Sequence, residues 1–279
     1  MKGLFASLLR LFSKRNEQPK QSYVAENPHR RTLSELEKCN YEDLTEEEKE
    51  SFMKLAQGLM TFKHRMTYEI PQQYKLAFEF ILKEFGWHIG SWMAVENLTP
   101  YIRKGPSSVN EYFIEYLKRE LKELEAKAIN RFPHRTRAIE LAFKSHQRGE
   151  FELSVPAFLI LSEGIFREMT ETDIFSKSVK KKSSKDKAIF IKNLKENPKV
   201  APLVSHIIEA VINGEVIGLQ FNNNTDIDTY PNVLHRNRII HGFSHDYGTL
   251  ENSFKALSQL EFIIEMVYPT INENFQSTK

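Results

Sequence analysis

The sequence predicts an all-α protein, with an N-terminal helical domain followed by a helical bundle. Two observations predict this class. Apolar residues recur three or four positions apart along most of the chain, which is the period of an amphipathic helix. Strict alternation of apolar and polar residues, which is typical of a half-buried strand, is scarce, and residues 216–221 are the best candidate for a strand.

The first half of the chain carries recognisable helix starts. Thr45 and Glu48 have the spacing of a capping box, in which each side chain accepts a hydrogen bond from the backbone N–H of the other residue. Pro71 suits the first turn of the next helix, because its missing N–H would be unpaired there. Residues 86–97 are predicted to form a broken helix, and a long helix is predicted over residues 108–132.

The second half contains five further segments with apolar residues at helical spacing, after Pro133 ends the long helix. They span residues 135–148, 152–169, 199–213, 232–241 and 249–267. We therefore predict an amphipathic helix at 1–15, a linker at 16–32, a helical domain of unknown role at 33–132 and a helical bundle at 133–279.

Composition restricts the function classes that the chain can serve. Its net charge of +2 gives no strong overall field that would attract nucleic acid. Residues 176–199 nevertheless contain nine lysines against Asp186 and Glu196; such a tract binds RNA phosphates without reading sequence or is a solvated linker. Residues 176–185 are of low complexity, and we expect them to be mobile. The RNA-binding candidates are Lys180, Lys181, Lys182 and Lys185.

Cys39 is the only cysteine, which excludes an internal disulfide.

The N-terminal segment, residues 1–15, has a leucine and phenylalanine face with basic residues around it. It is shorter than the ~18 apolar residues that a membrane span needs, and Arg10 interrupts it. The segment therefore packs on its own domain or on a partner, or it makes weak contact with a membrane surface. We expect a cytoplasmic protein that is peripheral to the inner membrane if this contact occurs.

The segment with the clearest chemistry is residues 234–242, predicted to be a short helix closed by Gly242. Asn237 and His241 are four residues apart and share a helix face, toward which the long side chain of Arg236 can wrap. Arginine is a permanent cation that suits phosphate, and histidine transfers protons near neutral pH. RNA cleavage by its own 2′-hydroxyl needs both groups. The alternative is a solvated or structural pair.

This segment resembles the R-polar-x3-H form of the Rx4–6H motif of the HEPN superfamily, through Arg236, Asn237 and His241. The flanking residues 151–165 and 245–257 are also similar to helices and a turn of bacterial HEPN-like proteins. The resemblance covers roughly residues 133–270, about half of the chain. Some toxins of this superfamily carry a tyrosine two residues after the histidine, and Phe243 stands there in this chain.

The resemblance implies a metal-independent endoribonuclease without a cofactor, in a homodimer whose two motifs share one cleft. His241 would be the general acid or base, Arg236 would stabilise the transition state, and Asn237 would orient the phosphate or His241. It also implies a role as a bacterial toxin or anti-phage effector. The alternative is a non-catalytic HEPN-like module that binds a nucleotide or a partner and is membrane-associated through its N-terminus.

Two further features concern the neighbourhood of the motif. Glu163 interrupts an apolar helix face, and a carboxylate there needs a partner. Arg236 or Arg238 would serve and would hold the motif helix, unless Glu163 reaches solvent. A metal site is the rival interpretation of the histidines, since nitrogen and oxygen ligands lie close together in sequence. Its ligands would be His235, His241, His245 and Asp246.

Overall fold

The computed structural model describes residues 44–90, 95–172, 181–213 and 229–275. Every regular element in these ranges is helical, which confirms the all-α class. The predictions for residues 1–15, 16–32 and 216–221 concern residues outside these ranges. None of the described helices is both long enough and apolar enough to cross a membrane.

Contacts divide the chain into two compact units, Met1–His64 and Arg65–Lys279. In the first unit the described element is helix α1, Glu46–His64. The predicted capping box is present: the Thr45 N–H donates to Glu48 Oε2 at 2.8 Å, and the Glu48 N–H donates to Thr45 Oγ1 at 3.3 Å. Two of the unpaired N–H groups at the start of α1 thereby gain acceptors.

The second unit is a bundle whose elements follow one another in short steps. In chain order its described elements are a π-helical turn (Arg65–Glu69), α2 (Ile70–Phe85), α3 (Val95–Lys104), α4 (Pro106–Arg131), a 3-10 turn (Pro133–Arg135), α5 (Thr136–Gln147), α6 (Phe151–Thr170), α7 (Lys181–Glu196), α8 (Pro202–Asn213), α9 (Arg236–Ile240), α10 (Leu250–Phe262), a second π-helical turn (Ile263–Val267) and α11 (Tyr268–Phe275).

Helix α7 was not predicted, and it begins at Lys181, within the low-complexity residues 176–185 that were expected to be mobile. Its first turns are rich in lysine and contain no apolar residues at helical spacing. The period is nevertheless present further along, where Lys187, Ile191 and Leu194 are buried at spacings of four and three residues. These positions lie on one face of a helix, so the signal was in the sequence.

The core of the second unit is built around α10, in which every residue from Ser253 to Phe262 is buried. Helices α4 and α6 pack against it, and one apolar cluster extends from Phe78 in α2 to Val267. Each fully buried Leu, Ile or Phe contributes about 1.5–3 kcal/mol. Because this one cluster contains residues on both sides of the boundary predicted between residues 132 and 133, that boundary does not separate two hydrophobic cores.

The loop before the motif helix lies against the end of α2. Gly86 has φ +77°, and a Cβ at this residue would be 2.3 Å from the carbonyl oxygen of Asn232. The Asn232 side chain donates from Nδ2 to the Glu84 carbonyl at 2.8 Å, which is one of the carbonyls that lack a helical partner at the end of α2. Part of the region of unknown role thus positions the candidate site.

A buried polar network joins three helices of the bundle. His146 of α5 lies with Nδ1 2.7 Å from Ser253 Oγ of α10, and this hydroxyl is 2.6 Å from Ser154 Oγ of α6. Burial lowers the pKa of His146 to about 4 and the pKa of His88 to about 3. Both rings are therefore neutral in the folded protein at pH 7.

We predict that Gly86→Ala destabilises the protein more than Gly105→Ala does. Both glycines have positive φ values, +77° and +103°, and strain alone costs about 1–3 kcal/mol at such positions. A Cβ at Gly105 meets nothing within 4 Å, whereas one at Gly86 collides with the Asn232 backbone. Chemical denaturation measures both free energies of unfolding. Equal losses would contradict a tight approach at Gly86.

We also predict that His146 makes folding sensitive to acid. Its pKa is about 4 in the folded chain and near 6.5 when unfolded, so the unfolded chain takes up the proton first. Stability is then lost as pH falls from about 6.5 to about 4, by at most about 1.4 kcal/mol per pH unit.

The test is chemical denaturation of the wild type and of His146→Gln between pH 7.5 and 4. The variant should show the shallower loss of stability toward acid, whatever its absolute stability. Burial raises the pKa of Glu261 to about 7, which acts in the opposite direction, but this carboxyl is common to both proteins and cancels in their difference. Parallel pH profiles would show that His146 is not responsible.

Candidate functional site

The motif helix α9 has only five residues, and its end follows a Schellman motif. The Phe243 N–H donates to the Arg238 carbonyl at 2.7 Å, and the Gly242 N–H donates to the Ile239 carbonyl at 3.1 Å. This pattern needs a left-handed residue one position after the C-cap, and Gly242 has φ +75°. The helix is shorter than the predicted 232–241, but the predicted closure at Gly242 is confirmed.

His241 is the C-cap of this helix. Its N–H donates to the Asn237 carbonyl at 3.1 Å, so the turn that brings residues 237 and 241 to one face is formed. The His241 residue is exposed. An imidazole on a hydrogen-bonded turn with access to solvent has the placement that a proton-transfer group requires.

Arg236 forms an ion pair with Glu163 of α6 through Nη2 and Oε2. Its Nη1 donates to Asn237 Oδ1 at 2.8 Å. The two charged side chains are 17% and 24% exposed, so water screens their attraction only in part. Of the alternatives left open by the sequence, Glu163 therefore pairs with Arg236, and this pair ties α9 to α6.

Arg238 lies on another side of α9 from this pair. It lines a cavity of about 570 Å³, and its Nη2 is 3.5 Å from the Phe243 carbonyl. Of the predicted lysines, Lys180 is outside the described residues. Lys181, Lys182 and Lys185 lie in the first turns of α7, and their side chains are outside the described part of the chain.

The loop after the motif helix is hydrogen-bonded to α6 at a carbonyl that has no helical partner because of a proline. Pro156 has no N–H, so it cannot bond the carbonyl of Glu152 four residues earlier in α6. The Tyr247 hydroxyl donates to this carbonyl instead, at 3.2 Å. The Tyr247 carbonyl accepts from Asn252 Nδ2 at 3.0 Å, which connects the loop to α10.

The cavity beside α9 is polar and mixed in charge, and its volume is within the ~300–1,000 Å³ of ligand pockets. Residues that line it include Arg238, His235, His245, Asp246, Glu251 and Lys255. Arg236, Asn237 and His241 do not line it. The three predicted catalytic residues thus lie outside the described cavity.

Lys255 is a cavity residue that the sequence analysis did not single out. Its ammonium group donates to the Asn232 carbonyl at 2.6 Å and lies 2.7 Å from Glu251 Oε1. Burial lowers the pKa of Lys255, although the Glu251 carboxylate opposes this shift. Its position within an apolar helix could have indicated a buried lysine. The carbonyl that it binds could not be identified, because Asn232 is 23 positions away in sequence.

The metal hypothesis gains no geometric support. Among the described residues, no three His, Cys, Asp or Glu side chains are grouped so that they could hold a metal ion. The four residues of that hypothesis all lie within the described part of the chain. They are close in sequence, but the turn at Gly242 intervenes and they do not form such a group.

Comparison of the chain with protein-family models, with curated proteins and with solved structures finds no match.

Proposed function

We propose that the chain is a metal-independent endoribonuclease of the HEPN type that acts as a bacterial toxin or anti-phage effector. The observation that carries this proposal is the construction of α9. Arg236, held by Glu163, begins the helix, and the exposed His241 caps its end. A permanent cation and a proton-transfer group therefore lie at the two ends of one short, fixed helix, and these two groups are the minimum that cleavage by the RNA 2′-hydroxyl requires.

In the proposed reaction the ribose 2′-oxygen attacks the adjacent phosphorus, and the bond from phosphorus to the 5′-oxygen breaks. His241 accepts the proton of the 2′-hydroxyl or donates one to the leaving 5′-oxygen. Arg236 stabilises the negative charge that develops on the phosphate oxygens. The products are a 2′,3′-cyclic phosphate and a 5′-hydroxyl.

Glu163 and Asn237 position the arginine in this scheme. A guanidinium has five N–H donors in a rigid plane. Glu163 and Asn237 accept from its two terminal nitrogens, so the plane is fixed before substrate binds. Fixed charge at the reacting group is more effective than charge that must reorient during the reaction.

We predict that His241→Ala reduces cleavage of purified RNA by about 10²–10⁴-fold. Because His241 is exposed, the substitution should change the protein's free energy of unfolding by no more than about 0.5 kcal/mol. Cleavage by the wild type should persist in EDTA. The measurement is incubation of purified protein with total RNA, with analysis of the product ends.

Arg236 needs a second variant, because removing it leaves the partly buried Glu163 carboxylate without its cation, which destabilises the site. Arg236→Ala should abolish cleavage. Arg236→Lys keeps the charge and a partner for Glu163 but lacks the planar fork, so it should fold and still cleave poorly. Full activity of His241→Ala would contradict the proposal. Loss of activity in EDTA with recovery in zinc would favour the metal hypothesis instead.

The proposed enzyme is a two-fold dimer, because one chain supplies a single arginine and a single histidine from the motif. The exposed face of α6, the helix that carries Glu163, has apolar residues in its N-terminal half. Leu153 is 59% exposed and Ile160 is 56% exposed, seven residues and about two turns apart. Apolar side chains on one exposed face suit an isologous contact.

We predict that Ile160→Glu converts the dimer to a monomer and reduces RNA cleavage. The matched control is Ile189→Glu on α7, whose side chain is 54% exposed. Analytical ultracentrifugation at micromolar concentration measures the mass of each protein. A wild type that is strictly monomeric and fully active would contradict the shared cleft.

The second candidate function is a non-catalytic HEPN-like module that binds a nucleotide or a partner. The cavity of about 570 Å³ favours it, because the lining residues include cations and carboxylates but none of the three motif residues. Calorimetry with nucleoside monophosphates distinguishes the candidates. Binding to the cavity without any cleavage of RNA would favour the module over the nuclease.

A further inference from the structure

Helix α6 carries a second glutamate that holds an arginine. Glu168 Oε2 accepts from Arg135 Nε at 3.0 Å, and Glu168 Oε1 is 2.9 Å from His134 Nε2. Burial alone would raise the pKa of Glu168, but these two hydrogen bonds hold it below its ordinary value. The carboxylate is therefore ionised at neutral pH and fixes Arg135, which ends the 3-10 turn before α5.

The guanidinium of Arg135 lies over the backbone of α6 at Gly164. A Cβ at this glycine would be 3.0 Å from Nη1 and 3.3 Å from Nη2 of Arg135. Glycine in a helix interior costs roughly 0.5–1 kcal/mol relative to alanine, and here it makes room for the cation. The side chain of Arg135 remains 30% exposed.

The bonding of Arg135 leaves one edge of its guanidinium available. Glu168 accepts from Nε, and the two terminal nitrogens make no hydrogen bond to any residue that the structure describes. These nitrogens form the fork that matches two oxygens of a phosphate. A fixed guanidinium with this edge uncommitted is suited to an anionic ligand.

This second arginine is held on the same stretch of α6 as the first. Gly164, under Arg135, directly follows Glu163, which holds Arg236. Two cations from different elements are thus attached to consecutive positions of one helix. Arg167, one turn further on, is exposed as well. Several cations held along one helix suit a polyanion, whose phosphates repeat at regular intervals.

We propose that Arg135 binds a backbone phosphate of single-stranded RNA next to the phosphate that reacts at Arg236. Gly164 and Glu168 are its positioning residues. This inference rests on the proposed ribonuclease function, since it adds a subsite to the same cleft. A phosphate contact of this kind sets the register of the RNA but does not read its sequence.

The test measures binding of a short single-stranded RNA to the full chain carrying His241→Ala, over a range of salt concentrations. Arg135→Gln should lower the affinity and reduce the slope of log K against log salt by about 0.7, which is one phosphate contact. Gly164→Ala should act in the same direction without removing a charge, because its Cβ displaces the guanidinium. Arg137→Gln, an exposed arginine two residues away, is the control and should leave the slope unchanged.

A second arm identifies the phosphate. Single phosphates of the RNA are replaced by neutral methylphosphonates. Replacement at one position next to the cleavage site should weaken binding to the wild-type Arg135 protein, and the same replacement should have no effect on binding to the Arg135→Gln protein. If all positions respond equally in both proteins, or if Arg137→Gln has the effect of Arg135→Gln, the subsite is wrong while cleavage by the wild type stands. If the wild type neither binds nor cleaves RNA, the proposed function fails and the subsite fails with it.

Discussion

A helix of five residues is not stable in isolation, because nucleation fixes several residues before the first hydrogen bonds compensate. The motif helix α9 therefore depends on contacts from the rest of the bundle. Glu163 holds Arg236 at its first residue. Asn232 joins the preceding loop to the end of α2 and accepts from Lys255 of α10. The geometry of the candidate site thus depends on three other helices, of which α2 and α6 are far from α9 in sequence.

The ion pair between Glu163 and Arg236 both supports the helix and orders the site. A half-buried pair gains little net stability over apolar residues of similar volume, since both ions lose water. Removing one partner is costly because the other charge stays enclosed. Pairs of this kind specify direction more than they add stability, and a fixed guanidinium direction is what the proposed reaction requires of Arg236.

Local features of the sequence were the predictable ones. The capping box at Thr45 and the closure at Gly242 involve residues a few positions apart, so their spacing determines the geometry. The partner of Glu163 could be narrowed to two arginines because an apolar face allows few polar neighbours. The choice between them needed the rotation of α9, which the sequence does not contain.

Long-range features could not be predicted. Lys255 was not singled out from the sequence, yet its side chain is 2% exposed and its ammonium group donates to the distant Asn232 carbonyl. Arg135 stands at the start of the predicted helix 135–148 and belongs to no motif, and only the position of α6 shows that its guanidinium lies over Gly164. In each case the partner is an atom of another element, and single-sequence patterns carry no distance between elements.

The charge arrangement on α6 has a consequence for the proposed nuclease. Each arginine is matched by a glutamate, so the site has oriented cations but little net charge. Two phosphate contacts at a slope of about 0.7 each would change affinity only roughly sevenfold between 50 and 200 mM salt. A two-fold dimer would double the contacts and raise this factor to about 50. Pairing of two chains would then strengthen RNA binding as well as complete the cleft, so that isolated chains would be poor nucleases even with every motif residue in place.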